Sequence, residues 1–191
     1  MSQQPFTVVE HLTDYGTESS LHGRATLTPS PGTIQHTTSQ LLLIEGTQVT
    51  NYTPKVGTSV VMYKVHLKVS QDDATINHLI HTRIQVKIDS SAWTDIVVSS
   101  TATNANASYH SDPYTIRALL KLGTSNDLAN GKTAEVRPTI GFRVMGREFD
   151  NQHQSIVNAV KYHFQTDNSN VYTNLFSPPI IELISLYGAD P

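Results

Sequence analysis

Three segments of the sequence alternate between apolar and polar residues, and their polar positions are rich in basic side chains. Because successive side chains of a β-strand point to opposite faces, each segment divides into two faces from sequence alone. The segments are residues 60–70, 81–88 and 135–144. Their polar faces carry Lys64, His66, Lys68 and Ser70 on the first, His81, Arg83, Gln85 and Lys87 on the second, and Arg137, Thr139 and Arg143 on the third.

The residues named on these faces include six of the chain's 13 lysine and arginine residues and no Asp or Glu, although the chain has 16 Asp and Glu. If the three strands lie in one sheet, their like charges repel one another, so a polyanion such as single-stranded RNA explains the pattern best. His66 and His81 would add positive charge as the pH falls. The alternative is an ordinary solvated sheet face. A solubilising face usually mixes both signs of charge, which favours the polyanion.

Motifs of the common catalytic and metal sites are absent from the sequence. There is no His-Glu-x-x-His, no Gly-x-Ser-x-Gly and no glycine-rich phosphate loop. The chain has no cysteine, which excludes disulfides, thiolate metal sites and a cysteine nucleophile. The nine histidines show no metal-ligand spacing. We therefore expect a protein that is not an enzyme, with no cofactor, no metal and no small-molecule substrate.

Length and composition suggest one domain over residues 1–191. The chain is 38% hydrophobic and 15% charged, with Thr, Ser, Asn and Gln in place of charges, which favours β-structure. The formal net charge of −3 does not itself indicate a nucleic-acid partner. The first residues do not resemble a signal peptide, and no apolar run approaches a membrane span, so we expect no membrane partner.

The order of predicted elements indicates an α+β fold. We expect an N-terminal hairpin from residues 6–12 and 24–27, a short strand at 40–45, and then the strands at 60–70 and 81–88 as antiparallel neighbours in a sheet of five or more strands. Residues 89–134 are interpreted as an enlarged connection before the strand at 135–144. Two C-terminal helices should follow within 150–187. The first begins at Asp150, and the second is capped by Ser177 and Pro178.

Such helices could not cover the sheet and also bury their own outer sides. A second copy of the chain is the economical cover, with the helices of two subunits interlocked in a homodimer. The alternative is that residues 89–134 fold back as a lid. The predicted dimer-interface residues are Ile156, Val160, Phe164, Ile180, Ile181, Leu183, Ile184 and Tyr187.

Two features point to a known family, namely the strand pair at 63–71 and 83–88 and the C-terminal segment that begins with Ser177-Pro178-Pro179. In these features the chain resembles the coat proteins of single-stranded RNA bacteriophages, the leviviruses. The resemblance implies subunits that dimerise, form an icosahedral shell and bind genomic RNA on the inner sheet face. It also implies capture of an RNA hairpin operator that represses replicase translation, and a virion assembled in the bacterial cytoplasm. Under it, His66, Lys68, Ser70, His81, Arg83, Gln85 and Lys87 would face RNA, and Arg137, Thr139 and Arg143 would match more loosely. The enlarged 89–134 segment departs from the family pattern.

Two other functions remain open from the sequence. The Thr- and Asn-rich tract at 99–111 is also typical of a β-rich phage tail, fibre or adhesin-like structural protein without nucleic acid. Trp93 and neighbouring tyrosines could instead form the platform of a carbohydrate-binding module.

Overall fold

The computed structural model describes residues 7–71, 78–103, 111–122, 137–148, 155–166 and 169–187, and every regular element in these ranges is a β-strand. The strands are β1 (Thr7–Tyr15), β2 (Ser20–Leu21), β3 (Ala25–Thr28), β4 (Gln35–His36), β5 (Leu42–Leu43), β6 (Gln48–Tyr52), β7 (Val60–Gln71), β8 (His78–Ile88), β9 (Thr94–Thr103), β10 (Ser111–Lys121), β11 (Ile140–Glu148), β12 (Ser155–Val157), β13 (Ala159–Thr166), β14 (Ser169–Phe176) and β15 (Ile180–Tyr187). Within these ranges no helix is long and apolar enough to cross a membrane.

The strands form two antiparallel sheets and one separate hairpin. Sheet A runs β1, β15, β7, β12, β4, with β10 also paired to β7. Sheet B runs β2, β3, β6, β11, β8, β9, with β5 also paired to β11. Strands β13 and β14 pair only with each other in this part of the chain. The connection from β11 to β15 therefore adds β12 to sheet A and then the β13–β14 hairpin.

The eight principal strands pair in a nested order. In chain order they are β1, β6, β7, β8, β9, β10, β11 and β15. The first pairs with the last, the second with the seventh, the third with the sixth and the fourth with the fifth. Nested pairing of this kind describes one long antiparallel ribbon folded over itself into two sheets. This is the double-sheet jelly roll.

The core lies between the two sheets and follows the period-two pattern of the sequence. Alternate residues of β7 and β15 point inward, so Tyr63, Val65, Ile181 and Leu183 are buried. Sheet B contributes inward residues of β8 and β11, among them Phe142, whose ring stacks on that of Tyr63. β-Branched and aromatic residues suit such half-buried strands. Aliphatic alternation therefore identifies the buried face of each strand correctly.

The predicted α+β fold with C-terminal helices is wrong, because the segments expected to be helical form β12 to β15. Ile156, Val160 and Phe164 are spaced by four residues, which fits one face of a helix and also one face of a strand. In β15, residues 181, 183 and 185 are buried and the residues between them are partly exposed, a strand pattern. Asp150, the expected helix cap, lies outside the described residues. Because β12 to β15 occupy these segments in the described part of the chain, the expected dimer interlocked by those two helices is wrong as well.

Two expected connections are also corrected. Within the segment 89–134, the structure shows β9 and β10, two principal strands of the sandwich rather than parts of a loop. The expected N-terminal hairpin is absent, because β1 belongs to sheet A and β3 to sheet B. Similarly, β7 and β8 are strands as predicted but lie in different sheets. Alternation reveals the two faces of a strand, but it does not reveal which strands are neighbours.

Candidate functional site

The predicted basic residues lie on two opposite outer faces of the sandwich. Lys64, His66 and Lys68 of β7 alternate with buried residues and point outward from sheet A. The cations of β8 and β11 point outward from sheet B. The expectation that all three strands share one basic face is therefore wrong. We call these surfaces the sheet A outer face and the sheet B outer face.

The sheet A outer face contains a cluster around the carboxylate of Glu182 in β15. Lys64 Nζ donates to Glu182 Oε1 at 2.8 Å. The Nε2 atoms of His66 and His11 lie 2.6 Å from Oε1 and 3.0 Å from Oε2 of the same carboxylate. His66 Nδ1 lies 2.9 Å from Thr115 Oγ1 on β10. The cluster thus connects the four long strands of sheet A, β1, β15, β7 and β10.

This environment fixes the charge of Glu182. Burial alone would raise its pKa, but the hydrogen bonds from Lys64, His66 and His11 outweigh burial and bring that pKa to about 2. Its side chain is 14% exposed. A permanent carboxylate therefore occupies the centre of the sheet A outer face and neutralises Lys64. A polyanion would meet this negative charge there.

The sheet B outer face gathers the predicted residues of β8 and β11. His81, Arg83, Gln85 and Lys87 are outward and partly exposed, and Arg143 lies directly opposite Gln85. Arg143 Nε donates to Gln85 Oε1 at 2.8 Å. The structure thus brings together five of the predicted residues on two adjacent strands.

Arg147 belongs to the same face and was missed from the sequence. It lies opposite His81 and is partly exposed. The signal was present, because continuing the alternation past Val144 places residue 147 on the side of Arg143. Four lysine or arginine side chains thus lie on this face, namely Arg83, Lys87, Arg143 and Arg147.

A carboxylate from β9 balances part of this charge. Arg83 Nη1 donates to Asp95 Oδ2 at 2.7 Å, and Gln85 Nε2 donates to Asp95 Oδ1 at 2.7 Å. The hydrogen bond from Gln85 has the largest effect on the pKa of Asp95 and lowers it. Burial acts in the opposite direction, but together with Arg83 the hydrogen bonds lower the pKa overall. Within the described ranges, neither Lys87 nor Arg147 forms an ion pair.

Trp93 extends this face beside β11. The guanidinium carbon of Arg143 lies 4.4 Å from the ring centroid, a cation–π contact. A Cβ at residue 141 would lie 3.0 Å from Trp93 Cη2, so glycine at this position leaves room for the indole ring. Burial lowers the pKa of Arg143. Because Arg143 covers the ring, Trp93 is poorly placed as an open platform for a sugar.

The remaining predicted RNA-binding residues have structural partners. Ser70 is fully buried, and its hydroxyl donates to the carbonyl of Ala159 at 3.1 Å. Arg137 Nη1 donates to the carbonyl of Pro54 at 3.0 Å. The backbone N–H of Thr139 donates to Asp89 Oδ1 at 2.8 Å. Burial removes Ser70 from any ligand-contacting surface.

The predicted dimer-interface residues are divided between core and surface. Ile156, Ile181 and Leu183 are fully buried within their own chain, so they are core residues. The outward side chains are those of Ile180 and Ile184 on sheet A, and Tyr187 is 51% exposed. Val160 in β13 is partly buried, and Phe164 lies in the same strand with its side chain outside the described part.

A buried polar network near the β1 edge was not predicted. The carboxylate of Glu10 accepts hydrogen bonds from Arg24 Nε and Tyr52 Oη, each at 3.0 Å, and Lys55 Nζ lies 3.1 Å away. Tyr52 Oη also contacts Ser185 Oγ. Burial tends to raise the pKa of Glu10, but these partners lower it overall. Glu10 lies two residues from the inward-facing Leu12, and this spacing was the sequence signal from which the burial of its carboxylate could have been predicted.

No group of three or more His, Asp or Glu residues in the described ranges is arranged to hold a metal ion. The features of the described residues that bear on function are the nested strand pairing and the charged side chains of the two outer faces. Neither a protein-family model nor a curated protein matches this sequence.

Proposed function

We propose that this chain is a virion structural protein, a jelly-roll subunit that associates with copies of itself into a closed shell. The observation that carries the proposal is the nested pairing of eight principal strands in two sheets. The double-sheet jelly roll is a scaffold of viral capsid proteins, and also of lectin and cupin domains. Since a fold does not by itself decide function, the surfaces must discriminate among these classes.

The packed interior supports a structural role. Large side chains, including those of Tyr52, Tyr63 and Phe142, are fully buried between the sheets. The chemistry that can reach a ligand is therefore on the outer faces and edges. On the sheet B outer face, Arg143 covers the indole that a sugar-binding module would offer. These observations favour a building block over a cupin-like or lectin-like site.

The sheet B outer face supports single-stranded RNA as the packaged partner. Arg83, Lys87, Arg143 and Arg147 lie on two adjacent strands, and Asp95 pairs with the first of them. Guanidinium and ammonium groups neutralise phosphates. The proposed RNA-contacting set is thus revised to Arg83, Gln85, Lys87, Arg143 and Arg147. The β7 residues are left out because the carboxylate of Glu182 pairs with Lys64 and His66 at the middle of the sheet A outer face.

The test is to produce the full chain alone in bacteria and examine it by electron microscopy and by absorbance at 260 and 280 nm. Regular closed shells that contain host RNA are expected. A chain that forms no regular assembly at any concentration would contradict the proposal. Regular shells without nucleic acid would keep the structural role and remove RNA as the partner, and open fibres would favour the fibre-like alternative.

A matched pair of variants tests which face contacts RNA. Lys87→Ala with Arg147→Ala removes two cations from the sheet B outer face, and Lys68→Ala with Arg117→Ala removes two from the sheet A outer face. We expect the first double variant to form shells with clearly less RNA and the second to retain its RNA. With about four phosphate contacts, the log of the RNA affinity should fall against the log of salt concentration with a slope of about −3.

A further inference from the structure

The sheet A outer face carries a row of apolar side chains beside its ion-paired cluster. The strand register places Ile184 opposite Met62, and Met62 opposite Leu119. Leu119 is 62% exposed, and the other two are partly exposed. Leu186 and Val8 lie opposite each other at the next outward position and extend the row. Apolar side chains contiguous across an exposed sheet face are typical of a protein interaction surface.

The charges next to this row favour a protein partner over a polyanion. On the other side of the row from Leu186, Lys64 and Glu182 occupy the neighbouring outward positions of β7 and β15. They are direct cross-strand partners and form an ion pair. The pair is neutral, so a partner can cover it without burying net charge, provided that the partner supplies polar groups to face it. An incoming surface must therefore be apolar along one row and charged along the next. The sheet A outer face itself has this pattern.

We propose that the sheet A outer face packs on the same face of a second copy of this chain, about a two-fold axis parallel to the strands and between β15 and β7. This inference rests on the proposed function, because it names a contact through which the subunits associate. A rotation about that axis exchanges the positions of β15 and β7 between the two copies. Each outward residue of β15 in one copy therefore faces, in the second copy, the β7 residue with which it pairs across the strands. Ile184 therefore faces Met62 of the second copy, and Glu182 faces its Lys64.

The same symmetry sets β1 of one copy over β10 of the other. His11 then faces Leu119 of the second copy, and Thr13 faces its Arg117. No two like charges are placed opposite each other along these rows. An axis across the strands through the apolar row would instead set the Lys64 and Glu182 pair against Val60 and Leu186. Charge complementarity thus selects the parallel axis, and a symmetric dimer interface of this kind closes on itself.

A charge exchange tests the proposed pairing most specifically. The double variant Lys64→Glu with Glu182→Lys keeps a Lys–Glu ion pair within each chain and between two copies of the variant. It removes the carboxylate that His11 and His66 contact, so unchanged near-ultraviolet circular dichroism of the variant is the control for its fold. In a mixed pair, however, Glu would face Glu and Lys would face Lys. Wild-type and exchanged chains should therefore each self-associate but should not mix, as measured by energy transfer between chains carrying different dyes. Free mixing of the two chains would overturn the inference.

A second pair of variants tests the apolar row. Leu119→Lys places a charge in the proposed interface, and Val98→Lys makes the same change at a position that is 68% exposed on sheet B. Both side chains are exposed, so both variants should keep their near-ultraviolet circular dichroism. We expect Leu119→Lys to weaken self-association by about ten-fold or more, because it replaces an apolar side chain of the row with a lysine that faces His11 of the second copy rather than a carboxylate. Equal effects of the two changes would contradict the proposed surface.

These experiments separate the inference from the proposed function. If electron microscopy shows shells while wild-type and exchanged chains mix freely, the subunits associate through another surface and the shell-forming role stands. If the two chains segregate into separate pairs and neither forms shells, the sheet A contact stands and the shell-forming role fails.

Discussion

Tyr63 of β7 and Phe142 of β11 stack with ring centroids 4.9 Å apart and an interplanar angle of 7°. The two residues belong to different sheets, and both side chains are fully buried. The tyrosine hydroxyl also donates a hydrogen bond to the carbonyl of Thr47, just before β6. This contact therefore joins sheet A to sheet B in the core and leaves the outer faces free for partners.

Truncation of this stack should be among the most destabilising single changes. Phe142→Ala removes a fully buried ring, and such changes cost about 3–5 kcal/mol. The free energy of unfolding measured in urea should fall by that amount. Val56→Ala, at a position that is 67% exposed and outside the proposed interface, is the control and should shift it by about 0.5 kcal/mol or less. A small effect of Phe142→Ala would mean that the two sheets are not held together by this contact.

Acid should weaken the fold through Glu182. The pKa of Glu182 is about 2 in the folded chain against 4.5 for an unperturbed glutamate, so it contributes stability above pH 4.5 that is lost as the pH falls toward 2. The contribution is about 3 kcal/mol at most, from the size of the shift. Urea unfolding at pH 5 and pH 2 measures the loss.

Glu182→Gln provides the control for that experiment. The variant should be less stable than the wild type at pH 5, because Lys64 and the two histidines lose their shared acceptor charge. Its stability should change less than that of the wild type between pH 5 and pH 2. An equal change in both proteins would show that other carboxylates dominate the acid response.

The buried network at Glu10 should stabilise the β1 edge. Glu10→Gln removes the buried charge that pairs with Arg24 and Lys55, and it leaves these partly exposed donors with a weaker acceptor. We expect the free energy of unfolding to fall by about 1–3 kcal/mol. Glu18→Gln, at an exposed turn position, is the matched control and should have little effect. Hydrogen exchange should be faster in β1 of the Glu10 variant and unchanged in β8.

The single tryptophan reports on the sheet B outer face. Single-stranded RNA that binds Arg143 and Arg147 would change the surroundings of Trp93, so its fluorescence should change during an RNA titration. The Lys87→Ala, Arg147→Ala variant should respond only at higher RNA concentration. Fluorescence that stays constant while RNA binds by another measure would place the contact elsewhere. Gly141→Ala should itself shift the emission, because its Cβ would lie only 3.0 Å from Trp93 Cη2 and displace the ring slightly.

The sequence predicts local features of this protein better than its architecture. Alternation correctly gives the inward and outward faces of β7, β8 and β11, because side-chain direction depends on neighbouring residues alone. The sheet that each strand joins depends on pairings between distant segments, such as Thr7 with Tyr187, which no local pattern encodes. For this reason the cations of β7 were placed on the wrong surface.

The helical prediction failed for a related reason. Spacings of four residues, as in Ile156, Val160 and Phe164, fit both a helix and a strand, and only the partner strand decides between them. The run from Ile180 to Tyr187 falls in the second of the expected helices. In the structure it is a central strand of sheet A, with β1 on one side and β7 on the other. Its outward isoleucines are explained by the surface we propose for a second copy.

The mass of the particles formed by the full chain, produced alone and measured by sedimentation velocity, tests the central claim most directly. A shell-forming jelly-roll subunit should give one discrete, fast-sedimenting species that contains many copies of the 21.0 kDa chain. A species of 21.0 kDa that persists unchanged as the protein concentration is raised would contradict the account.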